Sequence, residues 1–161
     1  MQDCVSIRPA LPDEHRALAR LWHAGWHEAH AAYVPAELTR LRTFETFLDR
    51  IAVFEDRLRV AGPAGRPLGF CVIQDNEIYQ IYVSRAARGT GIAAALLGDG
   101  EARLRQSGVT RARLDCVVEN ARAISFYKKH GWESAGLAKG MLETKQGPFA
   151  MPVLAFTKAL A

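Results

Sequence analysis

Cysteine is scarce in this sequence, and long apolar runs are absent. The three cysteines, Cys4, Cys71 and Cys116, are an odd number at wide spacing in apolar, strand-like segments. We therefore expect buried, reduced thiols rather than a disulfide framework or a metal site. No apolar run approaches the roughly 18 residues that span a bilayer, and residues 1–10 lack the apolar core of a secretory signal. These absences predict a cytoplasmic protein that does not contact a membrane.

The sequence also has no repeat, no low-complexity tract and no large excess of one charge. Its 21 basic and 17 acidic residues are mixed along the chain and leave a net charge of +4, which gives no specific reason to expect a nucleic-acid partner. With 161 residues, of which 49% are hydrophobic and 24% charged, the chain predicts one globular domain over residues 1–161.

Hydrophobic periodicity predicts an α/β architecture. The predicted elements are a strand over 4–10, helices beginning at Pro12 and after Pro35, three strands between 58 and 83, a helix over 91–106, a strand over 112–118, a helix over 121–131, and strands over 141–144 and 151–160. Short turns, "GPAG" and "DN", join the three central strands into an antiparallel meander, and a right-handed strand, helix, strand crossover follows. This order predicts a mixed central sheet of about six to seven strands with helices on both faces.

The segment "IYQIYVSRAARGTGIAAALL", residues 78–97, places two glycines between a strand and a helix. Glycines let backbone approach an anion closely, and a helix N-terminus offers free N–H groups to a diphosphate. A Walker A loop is excluded because no Lys and Ser or Thr follow the last glycine. A dinucleotide fingerprint, Gly89, Gly91 and Ala94 with Asp115, is disfavoured because "SRAAR" separates the strand from the glycines and the remaining chain is too short for a second nucleotide-binding half. A plain glycine-rich turn stays possible.

Arg88, Gly91 and Ala93 follow the spacing Arg, any two, Gly, any one, Ala. This segment resembles the signature of the GCN5-related N-acetyltransferase (GNAT) superfamily. The resemblance implies that the pyrophosphate of coenzyme A lies over the backbone amides of the loop. The implied cofactor-binding residues are Arg88, Gly89, Thr90, Gly91, Ile92 and Ala93.

A second segment, "VVENARAISFYKKHGW", resembles the element that follows the fifth strand in the same superfamily. If it is helical, Asn120, Ala123 and Tyr127 lie one above another on a single face. The resemblance implies that Asn120 bonds the pantetheine or pyrophosphate region, that Ala123 leaves room, and that the Tyr127 hydroxyl reaches the thioester sulfur, with Phe126 completing the motif. Alternatively, Asn120 caps the helix and Tyr127 packs.

The reaction implied is transfer of an acetyl group from acetyl-CoA to a primary amine by direct attack in a ternary complex. The strand "EIYQIYV" would offer backbone N–H groups between Ile81 and Val83 to the thioester carbonyl. By resemblance to histone-modifying members, Glu77 would accept the amine's proton through a water, unless it is simply a surface carboxylate. Tyr127 would protonate the departing thiolate. The alternative function is a non-catalytic sensor or regulatory module that binds coenzyme A.

His23, His27 and His30 share a helical spacing, but "HEAH" falls one residue short of a HExxH zinc motif, and no metal is expected. The surrounding segment resembles the helix, loop, helix region that lines the acceptor pocket in the superfamily. His27, His30 and Tyr33 are therefore candidate contacts for a small-molecule or peptide amine. Homodimers are frequent in the superfamily, so a homodimer is possible by analogy.

Overall fold

Seven strands form one mixed sheet in the computed structural model, which describes residues 5–160. The elements are β1 (Ile7–Pro9), α1 (His15–His30), α2 (Ala36–Leu41), α3 (Phe44–Phe54), β2 (Leu58–Ala61), β3 (Gly69–Gln74), β4 (Glu77–Val83), α4 (Ile92–Gln106), β5 (Arg111–Cys116), α5 (Ala121–Lys129), β6 (Glu133–Thr144) and β7 (Gly147–Ala159). The strand order is β1-β2-β3-β4-β5-β7-β6, and only the β4–β5 pair is parallel. The predicted mixed α/β sheet is confirmed.

Helices cover both faces of this sheet. On one face, Leu18 and Trp22 of α1 and Phe47 of α3 pack against Val60 and Phe70. On the other face, α4 and α5 bury a second cluster, which includes Leu96, Leu97, Leu104, Cys71, Leu114 and Phe156. In β3, Phe70 and Val72 belong to the first cluster and Cys71 to the second, so burial on both faces fixes the register of this central strand.

The prediction of one helix after Pro35 is wrong, since the structure has two, α2 and α3. Arg42 leaves the helical conformation (φ −91°, ψ 66°), and Thr43 caps α3 by accepting a hydrogen bond from the backbone N–H of Thr46 at 3.3 Å. The apolar spacing runs through the break without interruption. The capping residue Thr43 therefore sets the boundary between α2 and α3, which hydrophobic periodicity alone does not reveal.

The last two strands are longer than predicted. β6 begins at Glu133 rather than 141, and β7 begins at Gly147 rather than 151. The first five residues of β6 are exposed, so this edge strand carries no alternating apolar pattern. Pro148 and Pro152 of β7 pair only with β6, because β5 pairs with β7 over residues 154–159 alone. A strand with one neighbour tolerates a missing N–H.

Strands β4 and β5 pair over a very short stretch and then diverge. Their only paired residues are Glu77 and Arg113, next to which the Arg113 backbone N–H donates to the Asn76 carbonyl at 2.9 Å. On its other edge, β4 carries a bulge at Tyr79, since Val72 pairs with Gln80 and Ile73 with Ile78. The parting of β4 from β5 opens the middle of the sheet, and bulges are common beside such sites.

The two cysteines that the structure describes are buried thiols, as expected. Cys71 and Cys116 are free and buried, whereas Cys4, with the start of the predicted first strand, lies outside the described residues. Within residues 5–160, no helix is both long and apolar enough to cross a membrane.

Candidate active site

A cavity of about 410 Å³ lies where β4 and β5 separate. It brings together six residues that the sequence indicated as functional, contributed by α1, β4 and the start of α5. These six are His30, Glu77, Ile81, Asn120, Ala123 and Tyr127. Residues distant in sequence therefore line one cavity.

The backbone of β4 presents N–H groups to this opening. The Ser84 N–H donates to the Leu68 carbonyl on the β3 side at 2.8 Å. Donors alternate along an antiparallel ladder, so the N–H of Tyr82 also faces β3, and those of Ile81 and Val83 face the other way. On that side β5 pairs with β4 only at Glu77, which leaves these two amides pointing into the gap between the strands.

The glycine loop has the geometry of an anion cradle. Gly89 (φ +76°) and Gly91 (φ +86°) adopt the left-handed conformation, and Gly91 is the N-cap of α4. A Cβ built on either glycine meets no atom within 4 Å, so the space beside the loop is open. The first N–H groups of α4 have no partner within the helix and carry the positive end of its dipole. The loop thus combines open space with free donors.

The Arg88 side chain is already paired with a carboxylate. Its two terminal nitrogens donate to the Glu28 carboxylate of α1 at 2.9 and 2.8 Å, and Arg85 donates to the same group at 3.1 Å. The Arg88 hydrogen bond is the main reason that the pKa of Glu28 is lowered to about 2. Glu28 is therefore ionised at neutral pH and offsets part of the positive charge of the loop.

One face of α5 borders the cavity, as the i, i+3, i+7 spacing predicts. Asn120 caps this helix by accepting a hydrogen bond from the Ala123 N–H at 3.2 Å, so the capping interpretation holds for its side-chain oxygen. Tyr127 is buried, and its ring packs against Phe156 and Trp132. Burial, and secondarily the nearby Cys116, raises the pKa of the Tyr127 hydroxyl, which keeps it protonated at neutral pH.

Glu77 lies at the one point where β4 and β5 pair. Partial burial raises the pKa of its carboxyl group, the neighbouring Asp115 raises it further, and Arg113 acts in the opposite direction. Arg113 itself bonds Asp115 at 3.1 Å. A carboxylate with a raised pKa inside a cavity suits a general base better than an ordinary surface carboxylate does.

Other predicted contacts lie outside this cavity. Val83 lines a separate cavity of about 480 Å³ beside α1, and Phe126 packs against His130, with ring centroids 4.5 Å apart. His27 bonds the Arg42 carbonyl through Nε2 at 2.8 Å. Tyr33 is 51% exposed. The structure does not bring these four side chains to the cavity, and their proposed contacts stay predictions.

His30 is held at the cavity by stacking. Its ring lies 4.9 Å from Trp26 at an interplanar angle of 12°, and its Nδ1 is 3.0 Å from the Trp26 carbonyl. Burial is the main cause that lowers the pKa of His30 to about 4, so the ring is neutral at physiological pH. Over residues 5–160, no group of three or more His, Cys, Asp and Glu side chains could hold a metal.

Sequence reasoning missed the cationic part of the cavity. Arg42, Arg50 and Lys139 line it together with Trp26 and Tyr79. These residues come from α1, the α2–α3 junction, α3, β4 and β6, so no local spacing connects them. The available signal was weak: Arg42 lies next to Thr43, a residue type that commonly caps helices, within one continuous apolar stripe.

Known structures share this fold along nearly the whole chain. A GCN5-related N-acetyltransferase from Rhodopseudomonas palustris superposes with a TM-score of 0.75 and 18% identity, covering 99% of this chain and 98% of that one. The N-acetyltransferase PaiA from Thermoplasma acidophilum, solved with coenzyme A, gives a TM-score of 0.69 and 18% identity, covering 98% and 99%. The fold is therefore that of N-acetyltransferases.

The sequence identifies the family directly. Residues 17–132 match the Acetyltransferase (GNAT) family, and the chain belongs to this family. A protein of Methanocaldococcus jannaschii named an uncharacterised N-acetyltransferase is 33% identical over an alignment of 99 residues that covers 55% of this chain and only 44% of that protein. Acetyl-CoA is the acyl donor of this family, so the cofactor predicted from the resemblance is confirmed.

Proposed function

We propose that the protein transfers an acetyl group from acetyl-CoA to a primary amine by direct attack within a ternary complex. The observation that carries this proposal is the single cavity that Glu77 and Tyr127 share between β4 and β5. A base with a raised pKa and a hydroxyl that stays protonated are the two proton-transfer groups that aminolysis of a thioester needs.

The donor would be held mainly by backbone. Its pyrophosphate lies against the amides of residues 89–93, where the glycines leave open space. Its pantetheine arm runs between the free edge of β4 and the Asn120–Ala123 end of α5. The Ile81 and Val83 amides then point toward the arm and the thioester carbonyl.

The proton transfers follow from this placement. Glu77 accepts a proton from the ammonium group, directly or through one water, and the neutral amine attacks the thioester carbonyl. The β4 amides stabilise the oxyanion. The carbon–sulfur bond then breaks and Tyr127 donates its proton to the leaving thiolate. The attacking nitrogen gives up its second proton, which restores the Tyr127 hydroxyl through solvent, and Glu77 releases the first proton to solvent. The products are the N-acetylated amine, coenzyme A and one proton.

Cysteine chemistry supports direct attack rather than an acyl-enzyme. Cys116 lines the cavity, but burial raises the pKa of its thiol to about 11. Cys71 is fully buried, and its pKa is raised to about 12, also mainly by burial. Because the thiolate is the nucleophilic form, neither cysteine is activated at neutral pH.

The direct test measures release of free thiol from acetyl-CoA with a panel of primary amines, alongside binding of coenzyme A by calorimetry. We expect binding together with amine-dependent thiol release. Binding without turnover on any amine would favour the sensor or regulatory module instead. Absence of binding would remove both functions.

A further inference from the structure

We infer that the acceptor is a small amine that also carries a carboxylate, bound by Arg42 with Arg50 in the cavity that Glu77 also lines. This inference rests on the proposed function and names the substrate class of the same cavity. It depends on two arginines whose charge no acidic side chain of residues 5–160 neutralises by an ion pair.

Arg42 is a buried cation whose Nε lacks a hydrogen-bond acceptor within residues 5–160. It lines the cavity yet is only 3% exposed, and its Nε has no hydrogen-bond partner among the described residues. Its guanidinium lies 5.7 Å from the centre of the Trp26 ring, which attracts the cation but accepts no Nε–H bond. Buried cations are ordinarily paired, so Arg42 lacks the acceptor that such a group requires.

Arg50 brings a second positive charge to the same cavity. It lies over the Trp22 ring at 4.3 Å and donates to the Tyr79 hydroxyl at 2.7 Å. Because this bond goes to a hydroxyl and not to a carboxylate, it orients the guanidinium without forming an ion pair. Repulsion by Arg50 is one reason, after burial, that the pKa of Arg42 falls to about 10. Arg42 nonetheless remains cationic at neutral pH.

By their contacts, the charged side chains that line the cavity fall into two groups, and Lys139 of β6 is a further cation in the lining. Glu77 and Asp115 lie with Arg113 where β4 and β5 pair, whereas Arg42 and Arg50 lie against α1 and β4 near Trp26 and Tyr79. An acceptor that is both a cation and an anion matches this separation, with its ammonium toward Glu77 and its carboxylate on the guanidinium fork. A polyamine or a lysine side chain would instead leave the two arginines without an anion.

The test compares matched pairs of acceptors, namely the twenty standard L-amino acids and their C-terminal carboxamides. We expect at least one acid to exceed its amide in kcat/KM by about 10- to 100-fold, the effect of one charge-assisted bond. In Arg42→Gln this ratio should fall to near one. In Arg42→Lys it should fall to an intermediate value, because lysine keeps the positive charge but lacks the forked guanidinium group. Arg40→Gln, the same change at an exposed arginine of α2, should keep the wild-type ratio. Thermal unfolding of each variant shows that it is folded.

A readout without turnover separates this inference from the proposed function. With coenzyme A saturating, N-acetyl-L-amino acids should raise the melting temperature of the wild type more than their amides do, and Arg42→Gln should lose the difference. Active enzyme that prefers amides or polyamines would overturn the inference and leave the proposed function standing. If no amine is acetylated, the proposed function fails, and equal shifts from acids and amides would then overturn the inference as well.

Discussion

The two regions that we propose bind the donor and the acceptor are built differently. The proposed donor end, meaning the loop of residues 88–93 and the start of α5, consists mostly of backbone amides and small residues. The proposed acceptor end, meaning Trp26, His30, Arg42, Arg50 and Tyr79, consists of cavity-lining side chains from separate helices and one strand. Backbone donors suit a ligand that never changes, whereas side chains can be replaced without disturbing the fold. We therefore expect the donor to be common to the family and the acceptor to be specific to this chain.

The largest predicted effect comes from a side chain that serves the chemistry between the two ends. Tyr127→Phe keeps the ring that packs against Phe156 and Trp132 and removes only the hydroxyl. The single-turnover rate at saturating acetyl-CoA should fall by about 10² to 10⁴, the usual contribution of a general acid. Affinity for coenzyme A, measured by calorimetry, should change little.

Ser134→Ala removes an exposed hydroxyl on β6 and provides the control. It should leave the rate unchanged, since Ser134 does not line the cavity. A Tyr127→Phe enzyme as fast as the wild type would leave Tyr127 as a packing residue and would place the acid elsewhere.

Glu77→Gln should have the next largest effect and should depend on pH. The base works only when ionised, so the wild-type kcat/KM should fall as pH decreases through the pKa of Glu77, which burial holds above its ordinary value. The variant should lose roughly 10² in kcat/KM at neutral pH and should no longer show this acidic limb. Glu133→Gln, on the exposed start of β6, is the matched control. If the pH profile of Glu77→Gln is unchanged, the fall of kcat/KM at acidic pH belongs to a group other than Glu77.

Gly91→Val tests whether the donor end depends on its backbone conformation. A β-branched residue at φ +86° is strained, and its side chain would occupy the open space beside the loop. The Kd of coenzyme A should rise by roughly 10- to 100-fold. Gly65→Val introduces the same strain at φ +80° in the turn before β3 and should lower stability without changing this Kd. Equal Kd values in both variants would remove the pyrophosphate from the loop.

The same contrast explains what sequence alone could predict. The donor end was predictable because its features are local: glycines before a helix, and Asn120, Ala123 and Tyr127 on one helical face. The antiparallel meander of β2, β3 and β4 followed from turns and periodicity, whereas the position of β7 between β5 and β6 was not predicted. The break at Arg42, the extended β6 and the bulge at Tyr79 were not predictable, because capping and edge position decided them. Arg42 and Arg50 meet Trp26 and Tyr79 only through tertiary packing.

The smallest predicted effect concerns the ion pair between Glu28 of α1 and Arg88 of the glycine loop. Glu28 of α1, a helix that also carries Trp26 and His30, holds Arg88 of the donor loop through two bonds. Its carboxylate, ionised because Arg88 lowers its pKa to about 2, competes with a phosphate for the same guanidinium. Glu28→Gln should therefore tighten coenzyme A binding by roughly two- to fivefold at low ionic strength, with a smaller gain at high salt. Stability should change by less than about 1 kcal/mol, as is usual for exposed pairs.

Glu37→Gln, an equal charge change on exposed α2, separates this local effect from a change in net charge, and calorimetry at two salt concentrations measures both variants. Weaker binding in Glu28→Gln alone would mean that Glu28 positions Arg88 for the ligand instead of competing with it. The backbone-built donor end would then depend on a side chain from the acceptor-side helix. In that case the two ends would be coupled through α1, and an acceptor that shifts this helix would alter the affinity for coenzyme A.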